Sequence, residues 1–289
     1  MDKHDSLASY AAVRTLLDTR GLSPKKNYGQ NFLIDSFVLD KIVNAAAVDA
    51  DSTVIEIGPG LGALTVELAK RAGKVLAVEI DGTLIPVLSE TLAEYDNVRL
   101  INEDVLKLDL AALLAEENAP RASLVANLPY YITTPIVFRV LESKLPMESM
   151  TVMVQKEVAE RMRAVPSTKA YGAVTIMIRY YADVELVANV PPNCFFPRPG
   201  VDSAVVKLKL LGKPRVEVAD ESYFFTLVHA AFAMRRKTLV NCLSACEALT
   251  VSKAEAAAAI VSCGLSESIR GEALDIFDFA KLAEALLAR

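Results

Sequence analysis

The residues with the clearest chemical potential lie where a short apolar run gives way to glycines: Glu56-Ile57-Gly58-Pro59-Gly60-Leu61-Gly62. Glycines at the end of a strand remove side chains, so a ligand can approach the backbone and a following helix start can face its polar group. By glycine spacing alone, with Ala63 where the dinucleotide pattern permits alanine, NAD stays open. Glu79 ends the next apolar run, 21 positions after Gly58, and suits an acid that accepts hydrogen bonds from ribose hydroxyls. Asp104 follows a third run, where it could accept from an adenine amino group. A glycine loop and two acids at successive strand ends therefore point to a nucleoside-bearing ligand.

A fourth run, Ser123–Asn127, ends in Asn127-Leu128-Pro129-Tyr130. This segment resembles the (Asp/Asn/Ser)-Pro-Pro-(Tyr/Phe) signature of amino-group methyltransferases and favours S-adenosylmethionine over NAD. The lone pair of adenine N6 is delocalised into the ring and becomes nucleophilic only when acceptors hold its hydrogens in a pyramidal arrangement. The Asn127 amide oxygen and the Leu128 carbonyl can be those acceptors, with Pro129 stiffening the backbone and Tyr130 stacking on the base. In-line attack on a sulfonium methyl then depends chiefly on positioning, and no charged base is required.

These residues need a scaffold, and the surrounding pattern supplies one. Strand-like runs at Thr53–Ile57, Val75–Ile80, Val98–Ile101 and Ser123–Asn127 alternate with helical periods at Leu64–Arg71, Leu84–Tyr95, Leu108–Glu116 and Pro135–Glu142. Strands buried on both faces and separated by helices imply a parallel, doubly wound α/β sheet. An amphipathic helix over Ser6–Thr19 and a basic loop, Lys25–Gln30, precede it, and Asp35 or Ser36 can cap a second helix. After Met150–Val154, the runs Val174–Tyr181, Val184–Val190 and Ser203–Leu211 predict strands that form an antiparallel edge. The remainder is helical and alanine-rich, so the expected division is a sheet domain over 1–211 and a small helical domain over 212–289.

The chain has 289 residues and a net charge of −5, and its pI is about 5.3. The acidic balance argues against nucleic acid as a partner, but its distribution does not: Lys156–Arg215 carries ten basic and five acidic residues. Lys25–Lys26 and Arg235-Arg236-Lys237 add two basic clusters. Four cysteines without a CxxC, and histidines only at His4 and His229, suggest neither zinc nor a disulfide framework. No apolar run is long enough for a membrane helix, and the acidic start does not read as a targeting peptide, so a cytoplasmic protein is expected.

Across nearly its full length the chain resembles the KsgA-type small-subunit ribosomal RNA adenine dimethyltransferases, relatives of Dim1 and Erm. Besides Glu56–Gly62, Glu79-Ile80-Asp81 and Asn127–Tyr130, the matching segments are Gly29-Gln30-Asn31-Phe32-Leu33, Gln155–Val158, Val190–Phe195, Val201–Val206 and Arg235–Leu239. The resemblance implies a class I, Rossmann-like methyltransferase sheet and a C-terminal helical RNA-binding domain. It also implies dimethylation of N6 on each of two adjacent adenosines near the 3′ end of 16S rRNA in the maturing 30S subunit.

Carried over to matching positions, Asn31, Leu33, Glu56, Gly58, Gly60, Glu79, Asp104 and Asn127 would hold S-adenosylmethionine. Tyr130 and Phe195 would sandwich the target base, although Phe196 replaces a smaller polar residue and leaves open which ring stacks. Lys25, Lys26, Lys156, Arg161, Arg163, Arg235, Arg236 and Lys237 would meet RNA. A monomer without metal is expected. The alternatives are an Erm-type enzyme acting on large-subunit RNA, against which the VPPNCF and RRKTL segments stand, and an assembly checkpoint whose catalysis is dispensable.

Overall fold

In the computed structural model, residues 7–288 are described; Ser6, the expected start of the first helix, and His4 lie outside them. In chain order the elements begin α1 (Tyr10–Thr19), β1 (Phe32–Leu33), α2 (Ser36–Ala46), β2 (Thr53–Ile57), α3 (Ala63–Ala69), β3 (Lys74–Glu79) and α4 (Ile85–Thr91). Next come β4 (Val98–Asn102), α5 (Leu110–Glu116), β5 (Ala122–Asn127), α6 (Thr133–Glu142), β6 (Met147–Gln155), α7 (Lys156–Arg163) and α8 (Ala173–Tyr181). The chain ends with β7 (Ala182–Val190), β8 (Phe195–Phe196), β9 (Ser203–Leu210), α9 (Glu221–Ala233), α10 (Leu239–Ser244), α11 (Lys253–Ser262) and α12 (Ile276–Leu287). Short connecting turns complete it.

Two compact units emerge. The first comprises residues up to Ala159 together with Val184–Leu210, and the second Glu160–Asp183 with the chain from Leu211 on. The first is built on a sheet ordered β4-β3-β2-β5-β6-β9-β7, parallel from β4 to β6 and antiparallel between β6 and β9. Every residue of β2 is buried, as expected for a strand covered on both faces. The chain leaves β2 to build β3 and β4 on one side, then returns to β5 on the other. The crevice beyond the carboxyl ends of β2 and β5 is thus the topological switch point, where open α/β sheets hold ligands. α2 starts where Asp35 accepts the Val38 N–H at 3.0 Å, which settles the capping residue in favour of Asp35 over Ser36.

The second unit buries Phe224, Leu227, Leu239, Leu243, Ile260, Phe279 and Leu282 in a core of its own. α8 corrects the expected strand over Val174–Tyr181. Thr175 Oγ1 accepts from the Gly172 N–H at 3.3 Å and donates to the Arg161 carbonyl at 2.6 Å, fixing the first helical turn. Thr175, Ile176, Met177, Ile178 and Tyr180 are all buried. With only Thr175 and Arg179 polar, a run rich in β-branched and aromatic residues reads as strand. Because Ile176 and Tyr180 pack with α9–α12, Glu160–Asp183 groups with the helical unit, whereas the sequence boundary near 211 had put it with the sheet.

Candidate active site

The loop after β2 carries Gly58 and Gly60 at φ values of +70° and +61°, which side chains rarely adopt. Gly58 N–H donates to the Val78 carbonyl at 2.9 Å, and Gly60 N–H to Glu79 Oε2 at 3.2 Å, so the loop is tied to the end of β3. A Cβ on Gly60 would stand 3.1 Å from the Phe32 ring, whereas one on Gly58 would meet nothing within 4 Å and would project into a cleft. Glu79 is buried, and burial pushes its carboxyl upward even though it accepts from the Asp81 and Gly60 N–H groups. Asp104 is half-buried and accepts from the Leu106 N–H at 2.9 Å.

Glu56 is 1% exposed, and burial pushes its carboxyl up to about 8; its Oε2 has no hydrogen-bond partner among the described residues. An uncompensated charge in such a place costs far more than a proton, so the group is held neutral near pH 7.

β5 delivers the other half of the site. Asn127 Nδ2 donates to the Asn31 carbonyl at 3.0 Å, and Asn31 Nδ2 in turn donates to the Gly29 carbonyl at 2.9 Å. With the amide nitrogen engaged, the Asn127 oxygen is the end of the carboxamide that receives no hydrogen bond from the described residues. Leu128 is buried, its N–H donating to the Met153 carbonyl on β6 at 3.2 Å. The Pro129 carbonyl accepts from Ile132 N–H and Thr133 Oγ1, closing a tight turn into α6. Tyr130 and Ser203 hydroxyls lie 2.6 Å apart, which gives the Val201–Val206 segment a role: it anchors the tyrosine.

All the residues expected to hold the cofactor, together with Leu128, Pro129 and Tyr130, line one open cleft enclosing about 1120 Å³, solvent at its mouth included. Phe195 does not. It is 1% exposed and packs in the core with Leu33, Val190 and Cys194, because β1 and β8 pair Leu33 with Phe195 and Phe32 with Phe196. The Phe196 ring is also turned to packing, 5.3 Å from Tyr10 in an edge-to-face contact. In this arrangement neither phenylalanine faces the cleft, and the base-stacking role expected of Phe195 is corrected to that of a core side chain.

The basic residues divide as well. Lys25, expected to meet RNA, is also engaged within the fold: its Nζ lies 2.7 Å from Asp81 Oδ1 and 2.9 Å from Thr83 Oγ1. Arg235 is partly engaged, donating to the Lys169 carbonyl at 2.9 Å and facing Glu272 at 3.4 Å. Lys156 lies 3.9 Å from Asp202. Lys26, Arg161, Arg163, Arg236 and Lys237 are exposed. Among the described residues no cluster of His, Cys, Asp or Glu could hold a metal ion, and no helix is long and apolar enough to cross a membrane.

Sequence reasoning missed two further residues at the site. Tyr131 is 55% exposed, lines the cleft and lays its ring beside Gly29; its only signal is adjacency to Tyr130. Arg139 on α6 donates to the Val105 and Leu108 carbonyls at 2.6 and 2.5 Å, pinning the loop that carries Asp104, and nothing in the local sequence marks it.

The chain is similar to several known proteins. A protein from Geobacillus thermodenitrificans named ribosomal RNA small subunit methyltransferase A is 49% identical over 98% of both chains. One of the same name from Shouchella clausii is 48% identical over 99% of this chain and 97% of its own. Among solved structures, a dimethyladenosine transferase from Plasmodium falciparum superposes with a TM-score of 0.73 at 27% identity, covering 87% of this chain and 95% of its own. The 23S rRNA methyltransferase ErmE gives 0.69 at 28% identity, covering 89% and 99%. The model of the ribosomal RNA adenine dimethylase family matches residues 21–275, and the chain belongs to that family.

Proposed function

We propose that the chain transfers methyl groups from S-adenosylmethionine to N6 of two adjacent adenosines near the 3′ end of 16S rRNA, dimethylating each during small-subunit maturation. Relatives at 48–49% identity carry the small-subunit name, whereas ErmE, named for 23S RNA, is 28% identical; this favours the small subunit over the Erm-type reading. A substrate within the maturing subunit implies a cytoplasmic site of action.

The residues present fit the donor. The open face of Gly58 leaves room for a ligand against the backbone, and the buried Glu56 Oε2 has no hydrogen-bond partner among the described residues. Glu79 would accept from ribose hydroxyls and Asp104 from the donor's adenine amino group, while Asn31 and Leu33 would border its amino-acid end. When bound, S-adenosylmethionine supplies an electrophilic methyl on a sulfonium.

One observation carries the proposal: Asn127 is fixed by its nitrogen, so its oxygen is the end left for a substrate. In the first transfer that oxygen and the Leu128 carbonyl accept the two N6 hydrogens of the target adenine and hold the nitrogen pyramidal, with its lone pair along the line of attack; in the second, one of the two oxygens holds the single remaining hydrogen. Pro129 keeps the two acceptors at a constant separation. Tyr130, held by Ser203, supports the base face, and Tyr131 borders the entrance. As positive charge develops on the nitrogen, the two oxygens stabilise it and accept the departing proton's hydrogen bond on its way to water. Lys26, Arg163, Arg236 and Lys237 are exposed cations that would meet phosphates.

The test is transfer of labelled methyl to small subunits lacking the modification, followed by nucleoside analysis of the RNA. The expected product is N6,N6-dimethyladenosine in 16S rRNA. Label confined to large-subunit RNA, or absent from adenosine, would overturn the reading.

A further inference from the structure

Asp81 stands two residues beyond Glu79 and is 3% exposed, yet it does not face the cleft, and the mechanism above gives it no task. Both its oxygens are engaged by the loop before β1. Oδ1 accepts from Lys25 Nζ at 2.7 Å and from Thr83 Oγ1 at 2.6 Å, and Oδ2 accepts from Gln30 Nε2 at 2.9 Å. Gln30 Oε1 accepts the Lys25 backbone N–H at 2.8 Å, closing residues 25–30 into a ring on one carboxylate. Burial alone would raise the Asp81 carboxyl, but the hydrogen bonds from Lys25, Thr83 and Gln30 outweigh it and hold the group at about 2, charged throughout the physiological range.

The backbone offers this loop little else. The N–H groups of Tyr28, Gly29 and Gln30 donate only to carbonyls of Lys25 and Lys26, inside the loop itself. Residues 25–31 are thus tied down through side chains, Asp81 at one end and the Asn127–Asn31 bond at the other, before the backbone pairing of β1 with β8 takes over at Phe32. On the sheet side, Asp81 N–H donates to Glu79 Oε1 at 2.8 Å, and the other oxygen of Glu79 accepts from Gly60 N–H. A continuous path of hydrogen bonds and adjacent residues thus runs from the glycine loop through Glu79, Asp81 and Gln30 to Asn31 and Asn127.

The geometry points to Asp81, Lys25 and Gln30 as a positioning set: by clamping residues 25–31 they hold the Asn31 carbonyl where it orients the Asn127 carboxamide for methyl transfer. This rests on the methyltransferase reading. It differs from a stabilising ion pair, because a buried pair by itself is weak evidence of stability. What the clamp fixes is the location of one acceptor, and misplacement on the scale of 1 Å suffices to slow a positioned reaction about 100-fold.

The experiment exploits the polarity of the Gln30–Asp81 bond. Asp81→Asn sets an amide N–H₂ against the Gln30 amide, which already spends its oxygen on Lys25. Adding Gln30→Glu restores a donor–acceptor pair with roles reversed and keeps a negative charge beside Lys25. Hydrogen exchange of residues 25–33 and the Asn127 side-chain amide signals are measured on the protein alone. Single-turnover transfer and affinity for S-adenosylhomocysteine are measured alongside.

For Asp81→Asn, exchange should quicken and the transfer rate fall about 10- to 100-fold, with affinity changing less than about threefold; the double variant should recover both. Gln30→Met leaves the Lys25–Asp81 pair in place and should give the same pattern more weakly, which covers the case in which Asp81→Asn does not fold. Unchanged exchange, a loss confined to affinity, or no recovery in the double variant would overturn the inference. If the unaltered chain methylates no small-subunit RNA, the functional reading fails while the exchange measurement still decides the clamp.

Discussion

Replacing Asn127 with alanine separates folding from chemistry. The side chain makes one half-buried hydrogen bond, 3.0 Å to the Asn31 carbonyl. Losing such a bond costs about 0.5–1.5 kcal/mol, which leaves the domain folded at assay temperature. The same substitution removes the oxygen aimed at the amine where charge develops, a loss worth about 2.7–4 kcal/mol, or about 10²–10³ in rate. Asn127→Asp should not rescue, because a carboxylate oxygen would face the Asn31 carbonyl oxygen at the distance where the amide now donates. The assay is single-turnover methyl transfer at saturating donor, with calorimetric titration of S-adenosylhomocysteine and thermal melting as controls. A rate within about fivefold of the unaltered chain, or a rate loss fully matched by lost donor affinity, would refute the reasoning.

Phe195→Ala should destabilise the first unit by about 3–5 kcal/mol in chemical denaturation, because the ring is buried in the core; a loss below about 1 kcal/mol would mean that the ring leaves the core. Gly58→Ala should cost only about 1–2 kcal/mol for its left-handed backbone, since the new methyl meets nothing, yet weaken donor binding by tenfold or more, about 1.4 kcal/mol. Unchanged calorimetric affinity would remove the glycine loop from the site. Glu56 has its folded value raised from 4.5 to about 8, so its contribution to stability is fully present below about 4.5 and is lost as pH rises toward 8, at most about 1.4 kcal/mol per unit. Melting curves for Glu56→Gln should lose that part of the pH dependence, and identical pH profiles for the two proteins would contradict the burial argument.

The parts of the site legible in the sequence sit at strand ends, where chain order fixes spatial order. Gly58, Glu79, Asp104 and Asn127 each end or follow a strand-like run, and adjacent parallel strands bring those ends to one edge. The parts that were not legible depend on partners distant in the chain. Lys25 beside Lys26 reads as a basic loop until Asp81, 56 positions away, is seen to claim it. Phe195 is an aromatic on a proline-flanked segment, and only the pairing of β8 with β1 shows that its ring turns inward. α8 is hidden by its composition, since Val174, Thr175, Ile176, Ile178, Tyr180 and Tyr181 are residues that favour strands. Arg139 acts through its guanidinium on two carbonyls, and such contacts leave no local pattern.

Methyl transfer depends on the orientation of one carboxamide, which a crystal structure with S-adenosylhomocysteine and an adenosine-containing oligonucleotide would reveal. Asn127 Oδ1 and the Leu128 carbonyl should each lie within about 3.2 Å of the adenine N6, with Nδ2 still on the Asn31 carbonyl. A carboxamide turned away from the base, or a base seated elsewhere than beside Asn127 and Tyr130, would contradict it.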